Sequence, residues 1–138
     1  MIVSTRGRYA LRVMMDLAEN DTGGYIPMAT VAKRQGISLK YLEQILPVLT
    51  RNGLIEGVHG KGGGYKLCKK AEEYKVGEIL RLTEGSLAPV TCVDSASGAS
   101  CPNGAHCKNY ALWYKLNGII NDYLDSVTLK DVIEGNIN

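Results

Sequence analysis

The sequence predicts a mainly α-helical chain carrying one small β-hairpin, and three observations predict it. Apolar residues recur at helical spacing through most of the chain. Two strand-like runs are joined by His59-Gly60-Lys61-Gly62-Gly63-Gly64, in which four of six residues are glycine. A strongly periodic segment, 108–125, follows a stretch, 85–107, that has no periodicity. With 138 residues, 45% of them apolar, Tyr or Cys, there is material for one cored domain with an extended appendage.

Residues 5–19 read as the first helix, with Tyr9, Val13, Met14 and Leu17 on one stripe and Thr5 as a candidate cap. Arg6, Arg8 and Arg12 load its first half with positive charge, against the helix dipole. A nearby phosphate explains that placement; a solvated position explains any single arginine equally well. A loop at 20–24 and Tyr25-Ile26-Pro27 lead to a second helix, with Met28, Val31 and Ala32 inward and Lys33 and Arg34 opposite. Gly36 supplies the left-handed backbone of a sharp turn. Ser38 then caps a third helix, in which Leu42, Ile45, Leu46 and Leu49 form an apolar stripe. Its other face carries Lys40, Tyr41, Glu43, Gln44 and Arg51. An ordinary helical hairpin shows the same stripes, but the short turn fits a helix-turn-helix. Pro47 predicts a kink near Leu46 or a helix restart.

Asn52-Gly53 stops that helix, and 54–58 and 65–68 suit short strands. The glycine-rich loop sits between strands rather than before a helix, so a nucleotide-cradling loop fits poorly. A thin wing bearing His59 and Lys61, laid beside a nucleic-acid backbone or in the minor groove, fits better. Residues 1–84 are therefore expected to form a winged helix-turn-helix, closed by a helix at 75–84 with Val76, Ile79, Leu80 and Thr83 inward. Residues 85–107 are rich in small residues, and no core is expected from them. In 108–125, Trp113, Leu116, Ile120, Tyr123 and Leu124 line one face, broadened by Leu112 and Ile119. A stripe this wide, appended to a complete small domain, predicts a dimerisation helix; the alternative is that it folds back as core. Thr128 and Asp131 form a capping-box pattern that starts a short terminal helix at 129–134. The expected organisation is thus 1–84 DNA-binding, 85–107 cysteine loop, and 108–138 dimerisation helix plus short helix.

Charge is divided along the chain. Residues 1–70 hold eleven Lys/Arg against five Asp/Glu, while 71–138 hold five against nine. The basic half is the half with the helix-turn-helix, the sign that phosphate binding needs. No run of 18 apolar residues exists, so no transmembrane helix is expected. The N-terminal residues lack a signal-peptide pattern, which predicts a cytoplasmic protein with no membrane partner. Four cysteines in such a compartment are not expected to form structural disulfides. Cys68 reads as a small half-buried apolar residue. Cys92, Cys101 and Cys107 fall within 16 residues, without the close pairs of a zinc site. Soft thiolates on one loop suit iron–sulfur ligation, with three ligands where a cluster usually needs four.

Taken together, Ser4 to Ala10, Gln35-Gly36-Ile37-Ser38, Tyr41-Leu42-Glu43-Gln44, Asn52-Gly53-Leu54, Gly62-Gly63-Gly64-Tyr65, the three cysteines and Ala111-Leu112-Trp113 cover nearly the whole chain in order. This pattern resembles the Rrf (type two) family of bacterial winged helix-turn-helix regulators, in its IscR-like, iron–sulfur cluster branch. The resemblance implies a homodimer on a double-stranded DNA operator and a 2Fe–2S or 4Fe–4S cluster held by Cys92, Cys101 and Cys107. Cluster-bearing members place a histidine three residues after the third cysteine; here that residue is Tyr110. A nitric-oxide-sensing branch uses an aspartate where this chain has Arg8. The first cysteine gap is also longer. The fourth ligand is left open among Tyr110, His106, Asp94 and an exogenous thiol.

The expected DNA-binding set is Arg6, Arg8, Ser38, Lys40, Tyr41, Glu43, Gln44, His59 and Lys61. Gln44 suits a bidentate contact to adenine, and Glu43 suits the amino group of cytosine. The function expected is transcription regulation that senses iron–sulfur status, redox state or nitric oxide. One rival keeps the fold but drops the cluster, with control by thiol oxidation, a metal or a partner protein. A small thiol enzyme or iron–sulfur scaffold fits poorly, because no Cys-x-x-Cys motif, Cys–His pairing or Ser-His-Asp set is found.

Overall fold

The computed structural model describes residues 3–94 and 107–138. Its order is α1 (Thr5–Glu19), α2 (Met28–Gln35), α3 (Leu39–Arg51), β1 (Ile55–Val58), β2 (Gly64–Leu67), α4 (Val76–Glu84), α5 (Tyr110–Ser126) and α6 (Leu129–Glu134). Short 3-10 turns lie at Ala71–Glu73 and Thr91–Val93. This is the mainly helical chain with a β-hairpin that the periodicities predict. The α1 cap is Ser4 rather than Thr5: the Ser4 hydroxyl accepts from Gly7 N–H at 3.3 Å. Thr5 is already the first helical residue, so its hydroxyl cannot reach the free amides in the same way.

The main core gathers the expected stripes of the first three helices: Val13, Met14 and Leu17 with Val31, Leu42, Ile45 and Leu49. Gly36 takes the left-handed conformation at φ 65° and ends α2. Ile37 is then buried across the turn. The expected restart at Pro47 does not occur, since α3 runs continuously from Leu39 to Arg51. Pro47 lies on the exposed side, while buried Ile45, Leu46 and Leu49 hold the helix to the core on the other. Burial of three large aliphatic side chains outweighs the roughly 3 kcal/mol an interior proline costs.

β1 and β2 pair antiparallel, with Ile55 opposite Leu67 and Val58 opposite Gly64. Ile26 adds a bridge to Tyr65 through reciprocal N–H···O bonds of 2.9 and 2.8 Å. Gly64 makes that approach possible: it sits at φ 150°, and a β-carbon there would collide with the Ile26 carbonyl. Tyr74 fastens the hairpin from below. Its fully buried hydroxyl donates to the Leu54 carbonyl at 2.7 Å and accepts from the Cys68 and Lys69 amides at 3.0 Å each. Cys68 itself is exposed, not half-buried as its residue type suggests. Its backbone, not its thiol, is what the fold holds.

α4 packs on α1, where Gly7 permits close approach and Glu84 accepts from the Ser4 amide at 3.0 Å and hydroxyl at 2.6 Å. α6 is built into the same body. Leu129 is fully buried in the main core, its amide donates to the Tyr74 carbonyl at 2.9 Å, and the Thr128–Asp131 capping box forms as expected. A smaller apolar cluster joins Val76, Leu80, Leu87 and Val127. Leu87 corrects the expectation that nothing in 85–107 enters a core: one leucine among small residues is enough to pin the start of that segment. α5 is braced at its C-terminal half, where Arg81 grips Asp125 at 2.7 and 2.8 Å and Asn121 at 2.7 Å. No residue of α5 is buried in the single chain.

Candidate nucleic-acid interface

Ser38 accepts from Tyr41 N–H at 3.4 Å and sets the first turn of α3 at the surface. Lys40, Glu43 and Gln44 are exposed there, and Tyr41 is half-buried. The apolar stripe of α3 faces the core, so helical geometry alone puts these side chains outward. Arg6, from the first turn of α1, lines a small recess together with Tyr41, Gln44 and Ile45. Arg8 is exposed and donates to the Thr5 hydroxyl at 3.0 Å.

The wing closes the other side. His59 and Lys61 are exposed at its tip. A groove runs between wing and helix, lined by Glu43, Pro47, Thr50, Arg51, His59 and Tyr65. Arg6, α3 and His59 thus form one continuous surface. Thr50 and Arg51 join it although sequence reasoning left them out of the site; the signal was Arg51 seven residues after Gln44, two turns along the same face. Gly63 permits the tight wing, since a β-carbon there would strike the Val58 carbonyl. Lys66 does not project freely toward a ligand. The Glu56 carboxylate at 3.2 Å raises its pKa, helped by Tyr25, whose ring centroid is 4.8 Å from the ammonium.

Arg12, for which charge placement left phosphate and solvent both open, turns instead to the end of α2. It donates from Nε to the Gln35 side-chain oxygen at 3.1 Å and also to the Gln35 backbone carbonyl. Beneath it lies a pair the apolar pattern could not show: Asp16, only 2% exposed, receives Arg34 at 2.6 and 3.0 Å and Gln35 at 2.9 Å. Burial pushes the Asp16 pKa up, but the hydrogen bonds from Arg34 and Gln35 and the Arg34 charge outweigh it and hold the carboxyl below its usual value.

Of the cysteine loop, Cys92 and Cys107 are half-buried, and Cys101 and His106 lie outside the described residues. The turn holding Cys92 packs against α5. Tyr110 opens α5; its amide donates to the Cys107 carbonyl at 3.2 Å, and its ring stacks on Tyr114 with centroids 6.1 Å apart. Asp94 borders a polar cavity with Arg81, Asn117 and Asn121 between the loop, α4 and α5. Among the described residues no three His, Cys, Asp or Glu side chains converge as a metal site. Among the same residues, no helix is long and apolar enough to cross a membrane.

Residues 3–135 match the family profile described as Rrf2, iron-dependent transcriptional regulator. The chain belongs to the Rrf2 family. It is 42% identical over 134 residues to a putative HTH-type transcriptional regulator of Neisseria meningitidis, covering 97% of this chain and 88% of that one. It is 38% identical over 133 residues to the transcriptional regulator IscR of Pectobacterium atrosepticum, covering 96% and 79%. Among solved structures it resembles CymR, the global cysteine regulator of B. subtilis, with a TM-score of 0.80, 29% identity and 97% of each chain covered. The T. potens IscR structure gives a TM-score of 0.77 at 33% identity, covering 99% and 88%. These Rrf2 relatives are transcriptional regulators, a non-enzymatic class, and the winged helix-turn-helix built here is the fold they share.

Proposed function

We propose that this Rrf2 protein is a homodimeric operator-binding regulator whose cysteine loop carries its signal as an iron–sulfur cluster. The observation that carries the DNA-reading part is the continuous surface from Arg6 across α3 to the wing. In this reading α3 enters the major groove, with Gln44 and Glu43 toward base edges and Ser38, Lys40 and Tyr41 beside them. Arg6, Arg8 and Lys61 meet phosphates, and His59 lies at the wing contact. Two copies pair through α5, where Leu112 is 58% and Ile119 54% exposed in the single chain. That placement sets half-sites one helical turn or a multiple of it apart, roughly 34 Å per turn.

Cys92, Cys101 and Cys107 would hold the cluster, whose chemistry would supply sensitivity to oxidants or nitric oxide. The donor set fits in kind, because thiolates are the ligands such clusters prefer. Cys92 and Cys107 both adjoin α5, so a change in the loop is felt at the dimer helix. From there Arg81 leads to α4, and Glu84 leads to the α1 end that carries Arg6. That chain of contacts supports coupling between sensor loop and DNA surface. The likeness to relatives named IscR and the iron-dependent description of the family support the same reading.

A cluster-free reading rests on its own observation. Tyr110 stands where cluster-bearing relatives are expected to place histidine, and its ring stacks on Tyr114. The likeness to CymR, solved for S. aureus also in an oxidised form, favours direct control through thiols. The visible spectrum of anaerobically purified protein, with iron and sulfide counted per chain, separates the two. Brown protein with matched iron and sulfide establishes the cluster. Protein that stays colourless and iron-free after anaerobic reconstitution refutes it. For the reading surface, Gln44→Ala should relax preference at one base pair, and unchanged preference would show that α3 is misplaced.

A further inference from the structure

The structure assigns Arg12 as a positioning residue for base reading: it fixes the α2–α3 turn and, through Tyr9, seats Tyr41 of the recognition helix. Three observations converge on it. Arg12 donates to both the side-chain and backbone oxygens of Gln35, the last residue of α2. A C-terminal helix carbonyl lacks an intrahelical partner, so the guanidinium satisfies it at the point where the turn begins. Its Cζ also sits 5.5 Å from the centroid of the Tyr9 ring. The Tyr9 ring in turn meets Tyr41 edge to face, with centroids 5.4 Å apart and planes at 79°.

The base of this chain is held from both sides. Gln35 is gripped on its other side by buried Asp16, which Arg34 neutralises. One guanidinium thereby joins α1, the end of α2 and the exposed face of α3. Tyr41 shares its recess with Arg6 and Gln44, so a shift of its ring moves the groups beside it. Lysine cannot replace this geometry. Arginine offers a planar fork plus a flat face for the ring, while an ammonium is a single point donor. The sequence feature that suggests a phosphate contact, an arginine in the basic first half of α1, thus has a different use here.

This assignment rests on α3 as the reading helix, and the test separates the two. The native chain selects a preferred duplex from a randomised library. Binding is then compared between that duplex and a scrambled one across a salt series, at a temperature where circular dichroism shows every variant folded. Arg12→Met and Arg12→Lys should each lose preference for the selected duplex by roughly tenfold, while the salt slope stays that of the native chain. Adding Arg12→Met to Tyr41→Ala should cost little more than Tyr41→Ala alone. Three results overturn the assignment: a slope reduced by about one, which makes Arg12 a phosphate contact; full retention of preference by Arg12→Lys; or additive losses in the double variant. Gln44→Ala on the same duplexes is the control. If it too leaves preference intact, the placement of α3 has failed; if it shifts preference and the Arg12 variants do not, only the role of Arg12 has failed.

Discussion

Replacing Tyr74 by Phe should loosen the wing from the body while leaving the aromatic packing in place. The hydroxyl makes three bonds at 2.7, 3.0 and 3.0 Å, to the Leu54 carbonyl and from the Cys68 and Lys69 amides. Leu54 is buried, at 1% exposure, so its carbonyl pays the larger penalty, about 1–1.5 kcal/mol. It keeps only a long bond from the Cys68 amide, at 3.4 Å. Cys68 and Lys69 are exposed, so water can reach their amides and each loses about 0.5 kcal/mol. The total is about 2–2.5 kcal/mol, or a fall in Tm of roughly 6–8 °C for a chain of this size. Urea unfolding followed by circular dichroism measures it, with the m-value expected to hold constant. Operator affinity should fall as well, since the wing's lower end is freed. A loss below about 0.5 kcal/mol would refute the reasoning, because it would mean the hydroxyl's partners find equal bonds without it. The native protein should also weaken in alkali. Burial raises the Tyr74 pKa above 10.0, so its contribution is complete below the unfolded value and is lost as pH climbs through the folded one.

Asp16→Asn should leave the fold intact but remove part of its acid sensitivity. The folded pKa of Asp16 is depressed, so the native contribution is present above the usual carboxylate value of 3.8 and disappears as pH falls through the folded one. A pH series of urea midpoints should therefore show a shallower acid limb in the variant, and parallel limbs would contradict the assignment. Lys61→Ala should weaken binding to all duplexes alike and lower the salt slope by about one, measured by fluorescence anisotropy; a loss confined to one sequence would instead make the wing a base reader.

How much of this was legible beforehand depends on the interaction. The recognition helix was legible because its apolar stripe, its Ser38 cap and the Gly36 turn are local, encoded within a few residues of where they act. The wing was legible because four glycines in six residues have few other uses. The sequence pointed to Thr5 as the cap, one residue late, because the first helical residue is not marked in the chain. The burial of Leu87 is not legible locally, because part of its cluster, Val127, lies 40 residues away. The use of Arg12 is not legible for the same reason: its partner Gln35 lies 23 residues away, and nothing in the local pattern distinguishes it from Arg8.

The sequence by itself determined the helices, their order, the wing, the family and the three cysteines, since periodicity, turn chemistry and motif are properties of short stretches. Only the tertiary structure decided which basic residues face outward. Arg6 and Arg8 do, while Arg12 turns to Gln35 and Arg34, though at the surface, is tied down onto buried Asp16. It also decided that α6, placed by its sequence with the C-terminal appendage, is anchored in the core through Leu129 and its bond to Tyr74. The reason is common to both. Charge and apolarity say what a side chain can do, but partners far apart in the chain settle which use prevails once packing brings them within a few ångströms.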